Sequence, residues 1–330
     1  ARAMNNVEQR APVLALDIGG TKIAAAVVEW GGGVLSRARG ETPDSSDEVA
    51  LVDATARVAQ EALSLAGVSL SRTAAVGVSC AGIINTGTGV VVYSPNVAAL
   101  RRTPLRTLLS QRLGAPVRLA NDATLAALGE WEYGLQRSVT DLVYVTVSTG
   151  IGGGIIAGGH LVQGAYGAGG EVGHMTIDVN GPPCPCGRSG CWEALASGNA
   201  LAGRTVKRLE DGDHSIIGEL SGGDMSNVDA QLVSIAARQG DSLAIEMIET
   251  TAFYVGVGLA NLINIFNPSI IVVGGGVTKI GAPLLGPAEK VARERAYVTA
   301  AGPVDIRTAI LGDDSPLLGA AALVWGLGDP

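Results

Sequence analysis

Aromatic side chains are scarce in this 330-residue chain: Phe, Trp and Tyr make up 4% of it, with only two Phe. Apolar residues still reach 47%, so the core has to be filled by Ala, Val, Leu and Ile. Basic residues are also few. Lys and Arg number 23 against 31 Asp and Glu, a net charge of −8. They form no dense run, which speaks against nucleic acid or an anionic membrane surface as partner. The first apolar stretch stops at Asp17, too early for the apolar region of a signal peptide. The stretch 252–266 is broken by Asn261 and Asn264 and ended by Pro268, which reads as too short and too polar for a membrane span. A cytoplasmic protein with no membrane or nucleic-acid partner is expected.

What the chain has in excess is glycine, 47 residues, about twice the usual ~7% share. The excess is clustered, which suits loops whose backbone approaches a ligand. Length allows two modest domains or one large one.

Cysteine is rare, with four residues, yet Cys184, Cys186 and Cys191 fall within EVGHMTIDVNGPPCPCGRSGCWE, residues 171–193. His174 lies ten residues before Cys184. Three thiolates and an imidazole complete a tetrahedral shell for Zn²⁺, and a closed shell of this kind is structural. Gly181, Pro182, Pro183, Pro185, Gly187 and Gly190 supply the turns that aim the thiols at one point. A disulfide reading leaves an odd cysteine, and Cys184 and Cys186 are too close in sequence to pair comfortably. Cys80, alone in AVGVSCAG, reads as a buried strand thiol.

Two glycine-rich regions follow one plan. Strand 13–18, a GGT turn, strand 23–30, glycines 31–33 and strand 34–38 are matched by strand 141–147, an STG turn, strand 151–157, Gly158-Gly159 and strand 160–163. Helix 48–66 and strand 74–79 continue the first half. Further helices are expected at 105–113, 123–133, 199–209, 229–238, 242–266, 284–295 and 316–325, with strands at 117–120, 269–273 and 304–308. The polar stretch 211–227 reads as loop. The pattern predicts a duplicated α/β unit with a cleft between two lobes.

Three of the turns suit phosphate. DIGGTK (17–22) puts Asp17 at a strand end, Gly19 and Gly20 at the bend, and Thr21 and Lys22 beyond it. Glycines admit phosphate oxygens close to the backbone, and Asp17 suits a hydrated Mg²⁺. STGIGGG (148–154), with Thr149, Gly150 and Gly152, repeats the arrangement, and Gly274, Gly275 and Gly276 offer a flat surface for a purine or ribose. A strand–GG–strand turn is also an ordinary hairpin; the pairing of two such turns with a third glycine cluster favours phosphate. In NDATLAALGEW (121–131), Asp122 reads either as a helix cap or as a general base at a strand end. In the second reading, the helix N-terminus is expected to lower its pKa.

DIGGTK, Asn121-Asp122, STGIGGG, EVGH (171–174) and CPCGRSGCWE (184–193) occur in the order found in the ROK family of bacterial sugar kinases and sugar-responsive repressors. The chain resembles that family over about residues 12–326, and within it the bacterial ATP-dependent glucokinases. The resemblance implies an actin-like (ribonuclease H-like) duplicated α/β fold, two lobes with a cleft and a zinc-binding loop. The expected lobes are 12–120 plus 313–330, and 121–312 carrying the zinc loop and dimerisation helices. It implies transfer of phosphate from ATP to the 6-hydroxyl of a hexose, glucose foremost, with Asp122 as the base. Gly82, Asn96, Asn121, Glu171, His174 and Glu193 become sugar contacts, and one ring nitrogen of His174 binds zinc while the other faces the sugar. ATP, Mg²⁺ and structural Zn²⁺ are the implied cofactors, and a homodimer or homotetramer the implied assembly.

Two departures bear on which sugar is used. The family often has Pro-Gly where this chain has Ala81-Gly82, and often a Trp after the sugar-binding Asn where this chain has Val97, Ala98, Ala99 and Leu100. N-acetylmannosamine, N-acetylglucosamine and fructose kinases are the alternatives. A sugar-responsive repressor is the lesser expectation, because the sixteen residues before Asp17 show no helix-turn-helix pattern.

Overall fold

The computed structural model describes residues 10–297 and 304–328. The chain forms β1 (Val13–Ile18), β2 (Lys22–Val28), β3 (Val34–Glu41), α1 (Glu48–Ala66), β4 (Val76–Cys80), β5 (Ile83–Asn85), β6 (Val90–Tyr93) and β7 (Arg101–Thr103). It continues through α2 (Leu105–Leu113), β8 (Val117–Asn121), α3 (Asp122–Gly129), β9 (Leu142–Val147), β10 (Ile151–Ala157) and β11 (His160–Leu161). After the zinc-type loop come α4 (Trp192–Ala196), α5 (Gly198–Glu210), α6 (Ile217–Leu220), α7 (Ala230–Arg238) and α8 (Ser242–Phe266). β12 (Ile270–Gly274), α9 (Ala282–Arg295), β13 (Asp305–Thr308) and α10 (Ser315–Val324) complete it.

The duplication is explicit in the sheets. One has the order β3-β2-β1-β4-β8 and the other β11-β10-β9-β12-β13, so corresponding strands take corresponding places. In the first, β2 is antiparallel to β1, while β4 and β8 run parallel to it in succession. In the second, β12 lies parallel to both β9 and β13. Parallel strands covered on both faces need continuous apolar sequence. β1 and β4 supply it as VLALDI and VGVSC, and β12 as IIVVG. A third, small sheet, β5-β6-β7, is a meander that strand periodicity does not reveal, since its strands are three or four residues long.

Local signals fix the helix ends. Asp47 caps α1 by accepting the Val49 N–H, and Gly67 ends it in the left-handed conformation, φ +64°, which glycine adopts at little steric cost. Asp241 caps α8 and Asn267 closes it. By length and composition α8 passes as a bilayer span, contrary to the reading of 252–266 as too short. Its most apolar window is 61% buried within the protein, as befits a core helix.

The described residues divide into two compact units, 10–140 with 154–170 and 310–328, and 141–153 with 171–297 and 304–309. This differs from the expected boundary at 120/121. α3 belongs with the first unit because α10 lies against it: a side chain on Gly319 would meet the Leu125 carbonyl at 1.7 Å. Residues 154–170 follow because Gly154 sits on the Ala123 carbonyl and Ala127, and Leu161 donates to the Gly328 carbonyl. The buried carboxylate of Glu130 binds the N–H groups of Ile310 and Leu311 and the hydroxyl of Ser315, tying the start of α10 to the end of α3. The chain at 130–134 widens into a π turn, where a continuous α-helix to 133 is expected from sequence.

Candidate active site

In the first unit the parallel strands β1, β4 and β8 end side by side, with Asp17 opposite Ser79 and Cys80 opposite Asn121 in the ladder. Ligands of α/β sheets bind outside such carboxyl ends. Two acids of the chain meet there. Ser79 Oγ donates to Asp17 Oδ1 at 2.6 Å. Burial raises the Asp17 carboxyl to about 6, opposed by the Ser79 hydrogen bond and assisted by the neighbouring charge of Asp122. Cys80 is fully buried beneath them, as its sequence context predicts.

Asn121, not Asp122, is the helix cap. Its Oδ1 accepts the N–H groups of Ala123 and Thr124 at 2.9 and 3.1 Å, and its Nδ2 donates to the Gly82 carbonyl at 3.0 Å. Asp122 is the first helical residue, one carboxylate oxygen accepting from Ala123 N at 2.9 Å. The expected lowering of its pKa is corrected: burial pushes it up, and the backbone hydrogen bonds do not offset this.

DIGGTK turns tightly, Gly19 N–H donating to the Lys22 carbonyl at 3.0 Å. Gly20, Thr21 and Lys22 are exposed at the bend. A side chain on Gly20 would lie 2.6 Å from the Asn96 carbonyl, so this glycine brings the bend against the exposed Asn96. Of the residues that follow Asn96, Val97 and Leu100 are 2% and 1% exposed, in the core of this unit.

In the second unit, His174, Cys184, Cys186 and Cys191 present ligand atoms that all lie within 4.8 Å of one another. His174 Nδ1 faces Cys184 Sγ at 3.8 Å, and Cys186 and Cys191 Sγ are 3.6 Å apart. Bonds of ~2.3 Å to sulfur and ~2.0 Å to nitrogen put tetrahedral ligand atoms at separations of this kind. The set therefore fits Zn²⁺, with Nδ1 as the ligand nitrogen and Nε2 free for another partner. Glu171 precedes the turn that carries His174. Cys191 leads into α4, whose Trp192 is fully buried and donates to the Tyr254 carbonyl of α8. Next in sequence, Glu193 Oε2 accepts the Ile151 N–H at 2.9 Å.

The STG turn and Gly276, two residues after β12, meet at a cavity of about 700 Å³ lined by Ser148, Thr149, Asn199, Gln231, Gly276 and Lys279, among others. Its apolar wall is Ala202, Val228, Ile235, Val277 and Ile280. Gly152 lies within β10. Gly274 and Gly275 do not line the cavity; their missing side chains leave room for the Tyr144 hydroxyl and the Val147 carbonyl. The α7 residues and Lys279 have no sequence signature. The nearest signal is the amphipathic pattern of α7, with Val233, Ser234 and Ala236 inward.

With this geometry in place, similarity to known proteins is informative. A glucokinase of Streptomyces coelicolor is 36% identical over 94% of this chain and 96% of its own length. An N-acetylmannosamine kinase of Shigella boydii is 35% identical over 95% and 98%. The crystal structure of a ROK family glucokinase from Streptomyces griseus, in complex with glucose and AMPPNP, superimposes with a TM-score of 0.83 at 36% identity, covering 94% of this chain and 98% of that one. The ROK family model matches residues 13–326, and this chain belongs to the ROK family.

Proposed function

We propose that the protein is an ATP-dependent hexose kinase that phosphorylates the 6-hydroxyl of glucose. The observation that carries the reading is Asp122, a half-buried carboxylate at a strand end whose pKa desolvation raises, beside a helix cap it does not itself supply. A carboxylate whose pKa is raised takes a proton more readily in the transition state. Asp122 accepts the 6-hydroxyl proton as that oxygen attacks the γ-phosphorus; the bond to the β–γ bridging oxygen breaks and ADP leaves.

Asn96, Asn121, Glu171, His174 and Glu193, with the Gly82 loop, are assigned to the sugar. Asn121 spends its oxygen on the α3 cap and one amide hydrogen on Gly82, which leaves the second amide hydrogen for a hydroxyl. His174 offers Nε2. Zn²⁺ on His174, Cys184, Cys186 and Cys191 is structural in this reading and fixes the tilt of the imidazole.

The donor is a nucleotide. Thr149, Gly150, Gly152 and the Gly274–276 turn are assigned to it, together with Gly19, Gly20, Thr21 and Lys22 at its phosphates. The apolar wall of the cavity suits a base and ribose, whereas polyphosphate has no apolar surface to place there. Mg²⁺ carried with the nucleotide neutralises phosphate charge. Asp17, whose ionisation is opposed by burial, is the carboxylate to hold the hydrated ion, since a dication restores its charged form.

Glucose is supported by the glucokinase relatives. The N-acetylmannosamine kinase at nearly the same identity favours a second reading, an N-acetylhexosamine kinase. ADP release with glucose, fructose, N-acetylmannosamine and N-acetylglucosamine as acceptors, and with ATP or polyphosphate as donor, separates them. The highest kcat/KM belongs to glucose with ATP; a wide margin for an acetamido sugar overturns the substrate assignment.

A further inference from the structure

From the contacts of Glu193 we infer that this residue is a positioning residue for the donor phosphates, and that through it the zinc loop sets the shape of the 148–152 turn. The inference rests on the reading of that turn as a nucleotide site. It adds to Glu193 a task other than holding sugar.

Three contacts carry it, all within the second unit. Glu193 Oε2 accepts the Ile151 N–H at 2.9 Å, an amide of the turn that opens β10. A side chain on Gly150 would lie 2.3 Å from that same oxygen, so the carboxylate occupies the space beside the bend. The start of α5, the helix that follows α4, grips the turn from its other end: Gly198 N–H donates to the Ser148 carbonyl at 2.7 Å and Asn199 N–H to the Thr149 carbonyl at 3.3 Å. Three successive units of the turn are thereby fixed by the segment 193–199. On the side of His174, Gly173 abuts the Ile151 carbonyl, where a side chain would approach to 2.0 Å.

A zinc ligand stands within two residues of each contact. Cys191 precedes α4 by one residue and is its N-terminal flank, and His174 follows Gly173. A metal that locks Cys191 and His174 also locks the origin of Glu193 and the wall against Ile151. A hydrogen bond accepted by a carboxylate is stronger than one between neutral groups, so its loss frees the Ile151 amide and lets the turn relax. The amide oxygen of a Gln at 193 can still accept that N–H; an Ala cannot.

The test is the affinity for AMPPNP measured by calorimetry on the whole protein in the absence of any sugar. Glu193→Ala weakens AMPPNP binding by about tenfold, while Glu193→Gln stays within about threefold of the parent. Gly150→Ala, which pushes the carboxylate away without removing it, weakens binding as well. Its effect shrinks when added to Glu193→Ala, because neighbours that share one interaction are not additive. Steady-state kinetics give the same split, with KM for ATP raised in Glu193→Ala beyond its value in Glu193→Gln. Unchanged AMPPNP affinity in Glu193→Ala overturns the positioning role, whatever happens to sugar binding. Additive effects of the two substitutions overturn it too, even where Glu193→Ala is poorly folded. Failure of the parent protein to bind AMPPNP overturns the nucleotide reading itself, a result distinguishable from the other two.

Discussion

Asn121 caps the helix that Asp122 begins, so the capping of this strand end does not fall to the Asp122 carboxylate. The Asn121 oxygen serves the N–H groups of Ala123 and Thr124, and in the proposed reaction Asp122 keeps a carboxylate oxygen for proton transfer. Asp122→Asn therefore leaves the cap in place. Its melting temperature stays within a few degrees of the parent or rises, since a buried charge is removed. Its kcat falls by at least the ~10²-fold typical of losing a general base. Stopped-time assays with saturating glucose and ATP check this; near-normal kcat contradicts the assignment.

Asp17 yields a pH prediction of definite sign. Its carboxyl sits at about 6 in the folded protein against an ordinary 3.8. The native state therefore binds more protons than the unfolded one between those values, and stability falls as pH rises through the window. Above it the full cost remains, on the order of 3 kcal/mol by the usual conversion. Asp17→Asn relieves that cost and retains an acceptor for Ser79. Thermal unfolding at pH 7.5 without nucleotide shows a gain of several degrees, which vanishes near pH 4, while activity is lost. A gain that is independent of pH contradicts the proposed cause.

The metal is expected at one Zn²⁺ per chain by elemental analysis. Cys186→Ser removes a ligand whose sulfur lies 3.6 Å from that of Cys191. Zinc is lost, and sugar affinity drops by tenfold or more through the shared His174. A variant free of metal that binds glucose normally breaks the link between zinc and sugar.

The contact of α10 with α3 predicts a large packing effect far from the chemistry. A methyl group on Gly319 would meet the Leu125 carbonyl at 1.7 Å, and a backbone atom cannot yield as a flexible side chain does. Gly319→Ala costs about 1–3 kcal/mol or more, read as a lower denaturation midpoint in urea.

Much of this is legible in the sequence because its causes are local. Asp47 and Gly67 bracket 48–66, and α1 has those bounds. The two Gly-rich halves announce the duplicated sheets, and the Cys and His spacing announces the metal cluster. What sequence does not yield is set by distant contacts. The division of the chain depends on Gly319 and Gly154 meeting α3. The meander β5-β6-β7 has strands too short for periodicity to register. At Asp122 two effects compete, helix N–H groups against burial, and only the fold shows that burial wins. Residues of α7 and Lys279 line the cavity without a motif because they present shape, not a fixed backbone cradle.

The central claim is tested most directly by the product itself. The parent protein, incubated with ATP, Mg²⁺ and glucose, is followed by ³¹P NMR. We expect glucose 6-phosphate and ADP in equal amounts, and neither from Asp122→Asn. Phosphate on another carbon, or ADP formed without a sugar phosphate, contradicts the account.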